Sequence, residues 1–332
     1  MTDSTNDIAG AEARDALEQA VRVSLRAPSV FNTQPWRWRL AGDVLELTAD
    51  PDRRLGATDT EGRLLLLSCG GALHHARTAL AAAGWRAEVR RFPAEHRPDL
   101  LARIRVTCRI DPDPAARSLV AAVSRRRTDR RAFGERRVSE QTLGRLRTLV
   151  EAEGARLHVV PDDRVGELAD SVDLAAYVNY INPAHRAELT AWTHRPAWTG
   201  DGVPPDTVAA SGPRPVPVRE FLPGGSPGLA AGTGRDEGAA YVVIFGASDR
   251  PADLLRGGEA MSALLLRATA EGLATAPISE AVEVVWPRQL LSRLLADGGD
   301  PYLVVRLGYI DSAEAVPPSP RRKPFEVLDI ED

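Results

Sequence analysis

The sequence predicts an α+β protein built as two lobes or as one large fused fold. Three observations carry that expectation. Apolar and polar residues alternate in short neighbouring runs, at 36–40 with 44–48 and at 85–91 with 101–107, as half-buried strands do. Between these runs lie longer stretches with apolar residues at helical spacing. The chain has 332 residues, a length at which one hydrophobic core usually divides.

Taken in order, 11–26 reads as an amphipathic helix stopped by Pro28. Residues 36–40 and 44–48 form a hairpin through the turn at Gly42. Residues 63–83 make a helix apolar on most of its circumference; Gly70 and Gly71 at its middle suggest close backbone approach, and Gly84 suits its C-cap. Two further strands, 85–91 and 101–107, lead to the proline-containing joint at 111–114. Beyond it, 115–127 reads as helix, and Ser139 opens another that runs to Ala152. A strand is expected at 156–160, and broken helix over 163–188. From 192 to 236 proline and glycine crowd an aperiodic segment, which predicts a lid or covering loop. Order returns with a strand at 239–245, helices at 259–272 and 288–296, and a strand at 302–307. The helix ending at Gly84 and the one ending at Gly272 echo one another, a hint of internal duplication.

With 43% apolar and 27% charged residues the composition is that of a folded protein, and a formal charge of −4 argues against nucleic acid bound through a general basic face. No apolar run approaches the roughly 18 residues of a membrane span. The first residues, Thr2 to Asp7, have neither the basic start nor the apolar centre of a secretory signal, so a cytoplasmic protein is expected. Cys69 and Cys108 belong to no CxxC pair, and His74 and His75 lack a second ligand at metal-binding spacing, so no metal site is expected. Nucleophile-elbow, P-loop and dinucleotide-binding patterns are absent too.

Three patterns remain. Between Pro28 and Pro35, Ser29, Asn32 and Gln34 either form a helix stop with an Asx turn or present amide and hydroxyl groups to the edge of a heteroaromatic ring. Residues 124–131 hold the densest positive charge, with Thr128 among the arginines, and Arg321, Arg322 and Lys323 sit between two prolines near the C-terminus. Each basic run can be an ordinary solvated face, yet two of them in an acidic protein can share one anionic ligand.

Together these segments resemble the nitroreductase family. Pro28-Ser29-x-x-Asn32-x-Gln34-Pro35-Trp36 is similar to its motif along FMN, and Arg126-Arg127-Thr128-x-Arg130 to its phosphate-binding start. Residues 272–278 resemble the segment beneath the isoalloxazine, and 302–309 followed by Arg321 and Arg322 the final strand and phosphate-contacting arginines. The order is reversed, with the Ser/Asn/Gln motif ahead of the arginine start and neither repeated. The resemblance therefore implies a nitroreductase-like FMN fold of two fused units that mimic the usual homodimer, as in Acg-type proteins: 1–115 incomplete, and 116–332 with a lid insertion at about 190–236. It implies one FMN site complete within one chain, so that a monomer can function. Pro28, Ser29, Asn32 and Gln34 would face the flavin from the first unit, and Pro277, Ile278 and Ser279 from the second. Arg126, Thr128, Arg130, Arg321 and Arg322 would hold the phosphate, the choice among Arg126, Arg127, Arg130 and Arg131 being open. Trp192, His194 and Trp198 would either stack on flavin or substrate or anchor the lid.

The implied activity is an FMN-dependent NAD(P)H oxidoreductase reducing nitroaromatic or quinone-type acceptors by ping-pong transfer, with no catalytic side chain because the flavin carries the chemistry. NADPH or NADH would be the donor. The alternative is a flavin-sequestering or storage protein whose lid blocks nicotinamide access, and a specialised biosynthetic dehydrogenase is a third reading.

Overall fold

The computed structural model describes residues 3–223, 225–296, 298–312 and 314–331; residue 224 of the expected lid and the terminal residues 1, 2 and 332 of the expected units lie outside these. In chain order the elements are α1 (Asp3–Ser24), β1 (Trp36–Ala41), β2 (Val44–Ala49), α2 (Arg63–Ala82), β3 (Trp85–Arg91), β4 (Leu100–Arg109), α3 (Pro114–Val123), α4 (Glu140–Ala152), β5 (Arg156–Val159), α5 (Val165–Ile181), α6 (Pro183–Thr193), β6 (Ala240–Gly246), α7 (Pro251–Ala270), β7 (Ala274–Ile278), α8 (Glu280–Glu283), α9 (Val285–Ser292), β8 (Asp300–Gly308) and β9 (Leu328–Glu331). They form an α+β fold with two sheets, ordered β3-β4-β2-β1-β9 and β5-β6-β8-β7.

Alternation does its expected work in the first sheet. Trp36, Trp38 and Leu40 of β1 point into the core while Arg37 and Arg39 face out, and Trp38 stands opposite Leu47 of β2. The second sheet is buried more evenly, because α7 covers one of its faces with Leu264, Leu265 and Ala268 against Val242, Ile244 and Val304. The expected helix cap at Ser139 is present, its side chain accepting from Thr142 N.

The two sheets are joined through α2 and α7, each 20 residues long with a Gly-Gly pair inside. A Cβ on Gly70 would lie 2.0 Å from the Leu255 carbonyl oxygen, and one on Gly258 2.0 Å from that of Leu67. The two backbones therefore touch, and glycine is required at the crossing.

Some boundaries differ from the expectation. The helix expected to Arg127 ends at Val123, since the chain must extend so that Asp129 N can donate to Thr275 O at 2.9 Å. The helix expected from 259 begins at Pro251, whose fixed φ suits a first turn. The helix expected at 288–296 occupies Val285–Ser292. Strands β7 and β9 had no counterpart in the sequence reading. Pro277 disguises β7, which tolerates it as an edge strand. β9 is four residues long and adds the C-terminus, in parallel, to β1.

Among the described residues no helix is long and apolar enough to cross a membrane, and no group of three His, Cys, Asp or Glu could hold a metal ion.

Candidate functional site

The segment between Pro28 and Pro35 is backbone-strained. Phe31, Asn32 and Gln34 have φ of +47°, +56° and +49°, left-handed values that cost non-glycine residues about 1 kcal/mol each. A dense set of hydrogen bonds holds them there. Gln34 N donates to Ser29 Oγ at 2.9 Å and Val30 N to Ser68 Oγ of α2 at 3.3 Å. Asn32 Nδ2 donates to the carbonyls of Gly202 (3.1 Å) and Pro320 (3.0 Å), and Gln34 Nε2 to that of Gly200 (2.8 Å). Gln34 Oε1 accepts from Arg322 N at 3.0 Å. These amides, which the resemblance aimed at the flavin, instead bind the insertion and the C-terminal segment, and neither lines the adjoining cleft.

That cleft is where the two halves meet. Pro28, Ser29, Val30 and Phe31 form one side, with Leu64, Leu67 and Ser68 of α2 beside them. Thr128, Arg130, Pro277 and Ser279 come from the second half, with Met261 of α7 and Leu303 of β8. Ile278 points the other way, into the core beneath β7, as strand alternation requires. Phe221 of the insertion completes the lining, its ring edge-on to Phe31 with centroids 5.8 Å apart. With Phe221 seated there the free space is about 100 Å³, against several hundred for a typical ligand pocket.

Beside the cleft, one residue before Thr128 and two before Pro28 in the chain, a smaller hollow is lined by Arg26, Arg126, Arg127 and Arg321. Among the described residues none of these four has a carboxylate within ion-pair distance. Arg126 is buried with Nε and Nη1 lacking any hydrogen-bond partner; burial and neighbouring Arg127 pull its pKa down to about 10. Arg321 donates Nη1 to Asn32 Oδ1 and Pro320 O, both at 2.9 Å, and Nη2 to Arg26 O at 3.3 Å, but leaves Nε unpartnered, and burial with Arg126 takes it to about 9. Desolvated guanidinium groups without a counter-charge are costly unless an anion joins them.

The other arginines are committed elsewhere. Arg322 donates to the carbonyls of Gln34 (3.2 Å), Trp36 (3.3 Å) and Glu326 (2.7 Å), away from the hollow, so it fastens the C-terminal segment to β1. Arg131 pairs with Asp129 at 2.7 Å. Arg127 donates to the carbonyls of Ser124, Arg126 and Val316. Arg130 donates to Thr207 O at 3.0 Å and lies 4.5 Å over the Phe221 ring, between cleft and insertion.

The insertion covers the cleft through Phe221, Leu222, Val203 and Val208, packed on Phe31 and Leu55. Arg219 ties it down, 2.5 Å from Glu283 and 3.6 Å from Glu280. Trp192 packs beside this cluster, between Arg53 and Arg195. His194 is exposed and bonds Thr190 O, and Trp198 is 83% exposed. None of these three lines the cleft.

No family model matches the chain. It is, however, 37% identical over 321 residues to "Putative NAD(P)H nitroreductase Rv3131" of Mycobacterium tuberculosis H37Rv, covering 95% of this chain and 91% of that one. The match to "Putative NAD(P)H nitroreductase acg" of the same strain is 36% over 314 residues, 94% of each. The chain belongs to this nitroreductase family. Among solved structures it is similar to an FMN- and NADPH-dependent nitroreductase from sphigopyxis sp. strain HMH, at 17% identity and a TM-score of 0.41, over 64% of this chain and 99% of that one.

In this nitroreductase-family chain the sequence reading missed Arg26, Ser68, Met261, Phe221 and Arg219 at the site. Ser68 and Met261 lie in helices so apolar that a cleft-facing stripe looks like core. Phe221 and Arg219 stand in aperiodic chain, where no spacing marks them. Arg26 was legible only as the last basic residue before Pro28.

Proposed function

We propose that this chain is an FMN-dependent oxidoreductase that takes electrons from NADPH or NADH and passes them, in ping-pong order, to a nitroaromatic or quinone-type acceptor. The observation that carries the reading is the buried pair Arg126 and Arg321, which have no carboxylate partner and keep unpartnered N–H groups, in a hollow whose lining adjoins in sequence that of a cleft walled by apolar side chains, a few hydroxyls and Arg130. That donor set fits a flat ring system ending in a phosphate. Arg126 and Arg321 would take the phosphate oxygens with Thr128 beside them. Ser29 and Ser279 would offer hydroxyls to polar ring atoms, while Leu67, Met261, Leu303 and Phe31 exclude water from the ring faces. Ser279 is itself held by Glu283, to which its Oγ donates at 2.7 Å. Bound FMN would supply the hydride and electron transfer that no side chain of the cleft can.

A second reading has its own support. The insertion is fixed over the cleft by Phe221, by Arg219 on Glu283 and Glu280, and by the Asn32 and Gln34 bonds to the carbonyls of Gly202 and Gly200. A cover held so firmly suits a protein that sequesters flavin from nicotinamide. One experiment separates the two: the visible spectrum of the purified protein, then anaerobic NADPH. Rapid bleaching of a bound flavin supports the oxidoreductase; a flavin spectrum that stays unbleached supports sequestration. Failure to retain any flavin, even after incubation with FMN, sinks both.

A further inference from the structure

The insertion borders a second cavity, partly open to solvent, which the proposed reaction does not use. It measures about 510 Å³ and is walled by Val208, Arg214, Arg219, Phe221 and Leu222 of the insertion, with Arg130 from the segment below. Glu220 also reaches its lining, but from an exposed position. Three arginines therefore border one chamber within a protein of net charge −4.

The hydrogen bonding of two of them is incomplete. Arg219 is spent on Glu283 and Glu280 and its side chain is only 6% exposed, so it contributes to the wall of the chamber and not to its free donors. Arg214 donates to Arg130 O at 2.9 Å and Arg130 to Thr207 O at 3.0 Å. Among the described residues neither has a carboxylate within ion-pair distance. Burial draws the pKa of both below the ordinary arginine value, Arg130 to about 10, with Arg219 adding to the effect on Arg130 and Arg306 to that on Arg214. Planar, five-donor guanidinium groups with unspent N–H bonds around a water-sized or larger space match the oxygens of a carboxylate or phosphate.

We propose that the insertion carries an oxyanion site of its own, in which Arg130 and Arg214 bind the carboxylate or phosphate group of a small molecule. Phe221 and Arg130 line both this chamber and the cleft, so the remainder of such a molecule rests against the Phe221 ring, one side chain away from the cleft. The site stands on these residues whatever occupies the cleft.

Calorimetric titration at low ionic strength tests it, with inorganic phosphate and malonate as separate probes and chloride at matched ionic strength as the control. The arginine hollow beside the cleft is the competing anion site, so Arg126→Ala serves as the reference variant. In Arg126→Ala, where that hollow is disabled, saturable binding of one equivalent is expected, and adding Arg214→Gln should weaken it at least tenfold. Arg214→Lys, which keeps the charge without the fork, should fall between, and melting curves of both variants check folding. Phosphate outbinding malonate assigns the chamber to phosphate esters, and the reverse to carboxylates. Binding that Arg126→Ala abolishes, that Arg214→Gln leaves intact, or that chloride reproduces overturns the proposal. Flavin retention is scored separately, so failure of the FMN reading leaves this result standing.

Discussion

Arg126 and Arg322 are both buried, yet their guanidinium groups are in opposite circumstances. Arg322 satisfies three backbone carbonyls, whereas Arg126 Nε and Nη1 satisfy nothing within the chain. Arg126→Ala should therefore weaken FMN binding by about tenfold to a hundredfold, the loss of a charge-assisted contact of roughly 1.5–3 kcal/mol, while riboflavin binding and the melting temperature of the flavin-free protein hold or rise. Arg322→Ala strands buried carbonyls and should cost about 3 kcal/mol of stability, weakening FMN and riboflavin alike. Fluorescence titration with each flavin, paired with thermal melts, reads both; equal loss of the two ligands in Arg126→Ala removes it from the phosphate site. The sequence could mark an arginine-rich run but could not rank its members. Arg126, Arg127, Arg130 and Arg131 differ only in their partners, and those partners, Asp129 for Arg131 or the Thr207 carbonyl for Arg130, are set by the fold.

The α2–α7 crossing is the element on which the relation of the two sheets rests. Gly258→Ala places a Cβ 2.0 Å from the Leu67 carbonyl oxygen, and because that atom is backbone, no rotamer can relieve the clash. A loss of at least about 3 kcal/mol is expected, while Gly144→Ala in α4, with nothing within 4 Å of the new Cβ, should gain about 0.5–1 kcal/mol. Urea unfolding of the two variants makes the comparison, and near-equal stabilities would discount the crossing. The Gly70-Gly71 pair was legible as a sign of close approach, though which helix approached was not, and Gly257 and Gly258 fell before the helix expected from 259. The same helix holds His74 and His75 neutral: burial takes His74 to about 3, and burial with His74 and Arg126 takes His75 well below its usual value. Both folded values lie under the unfolded one near 6.5, so the unfolded chain binds more protons as pH falls. Stability is thus lost below about pH 6.5, continuing toward His74's folded value, by up to roughly 1.4 kcal/mol per pH unit for each group. His75→Gln should shallow the slope of unfolding free energy against pH between 4 and 5.5 by about that amount, and an unchanged slope would show that His75 already titrates in the folded chain.

At the scale of the whole molecule, the C-terminal segment ties the halves into one unit. Trp38 N donates to Val327 O at 2.7 Å, β9 pairs in parallel with β1, and just before it Pro320 to Arg322 are pinned by Asn32 and Gln34. The arginine hollow thus combines Arg26 from the start of the chain, Arg126 from its middle and Arg321 from its end. The return of the C-terminus to the first sheet was not readable in the sequence, because a four-residue strand has too little periodicity to register. If the path of one chain builds the site, released flavin should approach one equivalent per chain, and a value near two would contradict the single set of motif halves. A mixing experiment distinguishes a site made in cis from one exchanged between chains. Arg126→Ala and Arg321→Ala are each expected to bind FMN weakly, since each removes one guanidinium from the same hollow. Where copies swap C-terminal segments, co-expression of the two variants regenerates sites with both arginines intact, and part of the population recovers full affinity. With the segment returning to its own chain, every site keeps exactly one defect, so the co-expressed mixture should bind FMN as weakly as the separate variants, and a recovered high-affinity fraction would move the C-terminal strand to a neighbouring molecule.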